Sequence, residues 1–208
     1  QQLGHRIVPG LCSAQPAMAP LDLLRSIARS MSDAALSTIR TELMMDALFE
    51  RIEKCLTENA RDGKHTIIVL DEAHMIDNQA VLETTRLLLN FQNDGGFLLT
   101  LLLLGHPELV ARVADLKQLA QRIQITCQLT AFDKDDTLKY VTTRVAIAGG
   151  TGELFTADAL DLIHDQSGGI PRKINTLCEA SLATGFAQRT GRIDADLVRV
   201  ASAKFGVV

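Results

Sequence analysis

An apolar run, Ile67-Ile68-Val69-Leu70, ends in two adjacent carboxylates, Asp71 and Glu72. An apolar strand that finishes this way sets both acids at the carboxyl edge of a sheet, where α/β proteins bind ligands. There the first acid can help to hold Mg²⁺ through its water shell. The second can orient and deprotonate a water that attacks a phosphoryl group. A solvated Asp-Glu pair at a strand end accounts for these residues equally well, so the surroundings must decide. His5, His65 and His164 have no neighbours at metal-ligand spacing and read as ordinary. A phosphate-cradling G-x-x-x-x-G-K-[ST] loop is not found. Gly63-Lys64 is followed by His65 and lacks the earlier glycine, and the Gly149 to Gly152 stretch has no lysine.

The elements that would position the acids follow from periodicity. Arg6 to Leu11 is a short apolar stretch that Pro9 restricts to a sheet edge or a strand end. Helical patterns run from Leu21 to Met31 and from about Ser37 to Asn59. Thr66 to Leu70 has the composition of a strand buried on both faces of a parallel sheet. A helix over Asn78 to Asn90 follows, then a turn at Asn93-Asp94-Gly95-Gly96. Phe97 to Leu104 is expected to be a second fully buried strand, Pro107 to open a short helix, and Ile123 to Leu129 to be a last strand. The alternation indicates a parallel α/β layer. After Thr130 only helices are expected. Asp133 caps one that runs to about Ala148, Thr156 starts another to Gln166, Pro171 to Gln188 is a third, and Ile193 to Ala201 belongs to a last. The sequence thus divides into an α/β core over 1–130 and a helical appendage over 131–208.

Composition bounds the classes of function. Of the 208 residues, 47% are apolar, 22% charged and 4% aromatic. That is ordinary for a chain with a buried core and favours helix-rich packing. The net charge of −4 counts against non-specific coating of nucleic acid. The four cysteines are scattered without a C-x-x-C pair and read as small core residues in a reducing compartment. Phe97 to Leu104 is far too short to span a bilayer.

The surroundings of the acids carry a resemblance. Leu70-Asp71-Glu72-Ala73-His74 is followed by Leu103-Leu104-Gly105-His106-Pro107-Glu108-Leu109. Leu119-Ala120-Gln121-Arg122-Ile123 comes next, then Ser167-Gly168-Gly169-Ile170-Pro171-Arg172-Lys173-Ile174-Asn175-Thr176-Leu177-Cys178. In order and spacing these resemble the AAA+ ATPases of the general secretion pathway protein A type, from about Arg6 to Val208. The resemblance implies a P-loop NTPase core with a C-terminal α-helical lid, and ATP and Mg²⁺ as cofactors. It implies that Asp71 handles magnesium and Glu72 the attacking water, and that His106 is a sensor of the γ-phosphate. Arg122 is then an arginine finger and Arg172 a second sensor reaching from the lid. Each has a plainer reading: His106 as a turn residue before Pro107, and Arg122 and Arg172 as solvated surface cations. His74 stands where the family usually has Gln or Asn, and a role near the site and a surface histidine are both open.

In the family the phosphate loop and its central strand lie upstream of the segment matching Arg6 to Leu11. The chain opens at Gln1 without Met, and truncation is the simplest expectation. The sheet would then lack its middle strand, its two neighbours would lack a partner, and ATP would bind weakly. The resemblance implies a homo-oligomer in the cytoplasm, at the inner face of a bacterial inner membrane, working with a secretion or pilus partner protein there. The alternative is a DNA-associated AAA+ ATPase of transposition or replication-initiator type. Its support is a modest basic cluster, Arg189, Arg192, Arg199 and Lys204, which Asp194 and Asp196 dilute. A catalytically dead scaffold is a third class.

Overall fold

The computed structural model describes residues 7–31, 44–150 and 153–206. The expected helical residues Ser37 to Leu43, the strand start at Arg6 and the Thr151-Gly152 break lie outside the described residues. The chain divides between Cys127 and Gln128 into two compact units.

The first unit is built on parallel strands β1 (Ile7–Ser13), β2 (His65–Asp71) and β5 (Leu99–Leu103), in the order β1-β2-β5. Two-residue β3 (Gln92–Asn93) and β4 (Gly96–Phe97) form a separate hairpin closed by Asp94-Gly95. Pro9 lies on the edge strand β1, where its missing N–H is tolerated. Parallel pairing demands crossovers, and α1 (Pro20–Ser30) and α2 (Met45–Arg61) supply the first, α3 (Gln79–Leu88) the second. Each of these helices has an apolar stripe. Leu23, Leu24 and Ile27 of α1 and Leu48, Ile52 and Leu56 of α2 join Ile68 and Leu70 of β2 in one core. Helices α4 (Glu108–Asp115) and α5 (Lys117–Ala120) complete the unit.

Three expectations need correction. β2 is fully buried on one face only, through Thr66, Ile68 and Leu70, while Ile67 and Val69 are half-buried. β5 is shorter than Phe97 to Leu104 and is not fully buried: Thr100 and Leu102 face solvent, as do Phe97 and Leu104 beside it. β5 is the sheet's other edge among the described residues, with no strand beyond it to bury its flank. Ile123 to Leu129 is not a strand at all. A strand exists by pairing, none of the described strands pairs with this segment, and Ile125 and Leu129 stay exposed. Cys127 is therefore exposed, not the core residue expected. Cys12 is buried, and burial pushes the half-buried Cys178 thiol up to about 12.

Among the described residues the second unit has four helices, α6 (Lys134–Ile147), α7 (Ala157–Ser167), α8 (Pro171–Gln188) and α9 (Ala195–Phe205). Their starts follow the cap chemistry in the sequence. The Asp133 carboxylate accepts from the Asp136 N–H at 2.8 Å and Asp194 from the Leu197 N–H at 2.9 Å, while Pro171 takes the first position of α8. Phe155, Ile163, Ile174, Leu177, Ile193 and Val198 are buried together as a separate core. Between α7 and α8 both Gly168 and Gly169 have positive φ, 60° and 70°. A Cβ on Gly169 would lie 2.0 Å from the Phe132 carbonyl oxygen, the residue whose N–H donates to Gly169.

Candidate functional site

Register places the chemistry. Leu70 of β2 lies opposite Leu103 of β5, so Asp71-Glu72 and Gly105-His106 leave the same carboxyl edge side by side. The exit is tied by backbone: Leu104 N–H donates to Leu70 O at 3.0 Å and Ala73 N–H returns to Leu104 O at 2.8 Å. On the other flank Ala14 N–H donates to Asp71 O at 2.8 Å. The two strand ends are thereby fixed relative to each other before any side chain is considered.

Asp71 is half-buried, and its Oδ1 accepts from the Glu72 N–H at 2.9 Å. Glu72 then turns the chain with φ 55° and ψ 30°. For a residue with a Cβ this left-handed conformation costs about 1–2 kcal/mol, and such outliers concentrate where a side chain must be aimed. A single 3-10 turn, Ala73–Met75, follows. Arg112 of α4 holds the far side of this turn, donating to Ile76 O at 2.8 Å and pairing with Asp77 at 3.3 Å.

The turn folds His74 back over the edge. Its side chain is 12% exposed, against 48% for Glu72 and 69% for His106. The His74 and His106 rings stack, with centroids 3.9 Å apart and planes 13° apart. Glycine at 105 suits this closeness, since a Cβ there would sit 3.0 Å from His74 N and 3.1 Å from Leu109 Cδ2 and those neighbours would have to give by a few tenths of an ångström. His74 Nδ1 lies 3.4 Å from Glu72 Oε2 and also 3.4 Å from the His106 backbone N. Nδ1 can donate to the first or accept from the second, but one tautomer cannot do both. His106 Nδ1 has in turn Glu108 Oε1 at 3.8 Å.

Of the residues singled out in the sequence, Asp71, Glu72 and His106 converge here. Arg122 is exposed in the turn after α5, where its guanidinium donates to Leu89 O at 3.2 Å. Arg172 belongs to the second unit, exposed in the first turn of α8, with no side-chain hydrogen bond or ion pair among the described residues. His164 is accounted for by Thr137 Oγ1 at 3.0 Å and His65 by Thr100 Oγ1 at 2.8 Å. His74 is the residue whose place the sequence left open. Its signal was a histidine just past the end of each of two adjacent parallel strands, with a glycine before the second.

Comparison with known proteins gives the following likenesses. The AAA domain family matches residues 1–113. General secretion pathway protein A of Aeromonas hydrophila is 40% identical over 149 residues, covering 70% of this chain and 27% of that protein. The solved structure of the Aeropyrum pernix ORC2 protein superposes with a TM-score of 0.74 at 15% identity, over 98% of this chain and 53% of that one. Cdc6p from Pyrobaculum aerophilum does so with a TM-score of 0.70 at 19% identity, over 96% and 53%. The chain thus spans about a quarter of the curated relative and about half of each structural neighbour.

Proposed function

This chain belongs to the AAA domain family and has the AAA+ type of P-loop ATPase fold, and on that premise we propose that it is the metal- and water-handling part of an ATP-hydrolysing module. Residues 1–130 are the core and 131–208 the helical lid. Asp71 holds Mg²⁺ through its water shell and Glu72 polarises the attacking water. His106 monitors the γ-phosphate, Arg122 reaches the nucleotide of a neighbouring copy, and Arg172 reports phosphates to the lid. What carries the reading is the convergence of Glu72 and His106 at the carboxyl edge shared by β2 and β5. Ligands of α/β sheets bind at that edge.

The residues fit the two cofactors unequally. The Asp71 carboxylate is the hard oxygen donor that Mg²⁺ takes. No residue run among the 208 supplies the glycine-rich backbone and lysine that a triphosphate needs. The chain as it stands should therefore bind Mg·ATP weakly and turn it over negligibly. Isothermal titration is expected to show no saturable binding in the micromolar range, and micromolar affinity would overturn this part. In any form of the protein that turns over ATP, Glu72→Gln is expected to lower kcat by about 10²-fold or more while nucleotide affinity is kept. An unchanged kcat would remove Glu72 from the water-handling role.

The 40% identity to general secretion pathway protein A supports a role in assembling a secretion or pilus envelope complex, as a cytoplasmic homo-oligomer beside an inner-membrane partner. No helix among the described residues is long and apolar enough to cross a membrane. A DNA-associated role remains the alternative arm of one test. Retention of the chain by duplex DNA at low salt, lost as salt rises, would move that reading ahead.

A further inference from the structure

We propose that Glu72, His74 and His106 form a binding site for a borderline transition-metal dication of the Zn²⁺ class, separate in ligand chemistry from the Mg²⁺ role given to Asp71. One donor atom from each of the three residues lies within 4.8 Å of the others. Two imidazoles and a carboxylate, with a position left for water, is a ligand set that zinc accepts. Mg²⁺ does not favour it, because that ion demands oxygen donors and parts reluctantly with its own waters.

The backbone converges on this arrangement from two directions. Glu72 is held in the left-handed region, with its carboxylate 3.4 Å from His74 Nδ1. Gly105 admits His74 so closely that no Cβ fits without displacement. His74 is the fixed ligand: its ring is nearly buried, and the turn that carries it is clamped by Arg112. His106 is the adjustable one, exposed, with Glu108 at 3.8 Å as its closest charged partner.

The stacked rings define what binding must change. An imidazole lone pair lies in the ring plane, and two nearly parallel planes 3.9 Å apart at their centroids cannot both contain one ion. Capture of the metal therefore swings the His106 ring out of the stack towards Glu72 and His74. The His106 side chain is 69% exposed, so this rotation moves it through solvent. Loading also engages the Glu72 carboxylate, so a bound zinc ion and a Glu72 free to polarise water exclude each other. Only that last consequence rests on the nucleotide reading; the binding itself does not.

The test is a titration of the 208-residue chain with Zn²⁺ against a chromophoric chelator, without nucleotide, with Co²⁺ absorption as the report on ligand geometry. One equivalent is expected to bind, with Mg²⁺ in large excess failing to displace it. His106→Ala and His74→Gln should each weaken binding by at least the roughly 10–100-fold that loss of a mere outer-shell partner produces. His65→Asn should change nothing. Circular dichroism melts establish that the variants are folded, and exposed His106 tolerates replacement even if His74 does not. The ring resonances of both histidines should shift together as the stack opens. Binding that survives both histidine variants, or that is lost instead in Cys127→Ser, overturns the proposal, as does the absence of a stoichiometric site. Because no nucleotide is present, these outcomes are independent of whether the Mg·ATP titration succeeds.

Discussion

Glu72 bears two demands that pull against each other. Its φ of 55° suits glycine, yet a carboxylate stands there. If the side chain is kept for its chemistry at the expense of the fold, then Glu72→Gly should stabilise the chain by up to about 1 kcal/mol. The same change should abolish zinc binding and, in any form of the protein that turns over ATP, hydrolysis. Urea denaturation of the 208-residue chain measures the first, and a destabilised variant would show that the left-handed turn carries no strain. The acids and His106 were legible in the sequence because an apolar strand ending in charge announces its own edge. His74 was only half legible. Nothing in Leu70-Asp71-Glu72-Ala73-His74 by itself indicates that a left-handed residue will fold the imidazole back against His106, since that contact joins two strand ends far apart in sequence.

Elements divide along a similar line. The first three helices of the second unit were legible almost to the residue, because Asp133, Thr156 and Pro171 mark their starts in local chemistry, whereas the last runs over Ala195–Phe205 and leaves Ile193 outside it, its Asp194 cap having gone unread. Ile123 to Leu129 has the alternation of a strand and is none, because a ladder belongs to two segments at once and the partner is not among the described strands. The overestimated burial of β5 has the same origin: a run of leucines states a preference for burial and cannot supply the neighbour that provides it. At the junction of α7 and α8, Gly169 combines positive φ with a carbonyl 2.0 Å from where a Cβ would stand. Gly169→Ala must displace Phe132 and break its N–H bond to Gly169. A loss of about 2 kcal/mol or more is expected, read as a lowered urea midpoint of the second unit. A midpoint within experimental error of the parent's would mean that the junction relaxes freely.

For the molecule as a whole, the two units differ in how far along the chain their contacts reach. In the sheet Ile7 lies opposite His65 and Thr66 opposite Leu99, so each ladder can close only after a whole crossover has been drawn in. In the helical unit most contacts join adjacent helices. Ordering a long loop must precede the pairing that rewards it, and rates of folding fall as such separations grow. The helical unit should accordingly regain its structure first on dilution from denaturant, with the sheet unit following in a slower phase. Stopped-flow circular dichroism, with Tyr140 as a fluorescent reporter confined to the helical unit, distinguishes the two. Tyrosine recovery no faster than the last ellipticity phase would contradict the order. Until that slow phase ends, Asp71-Glu72 and Gly105-His106 are merely distant stretches of one string, and whatever the edge binds must wait for the slowest event in the chain's assembly.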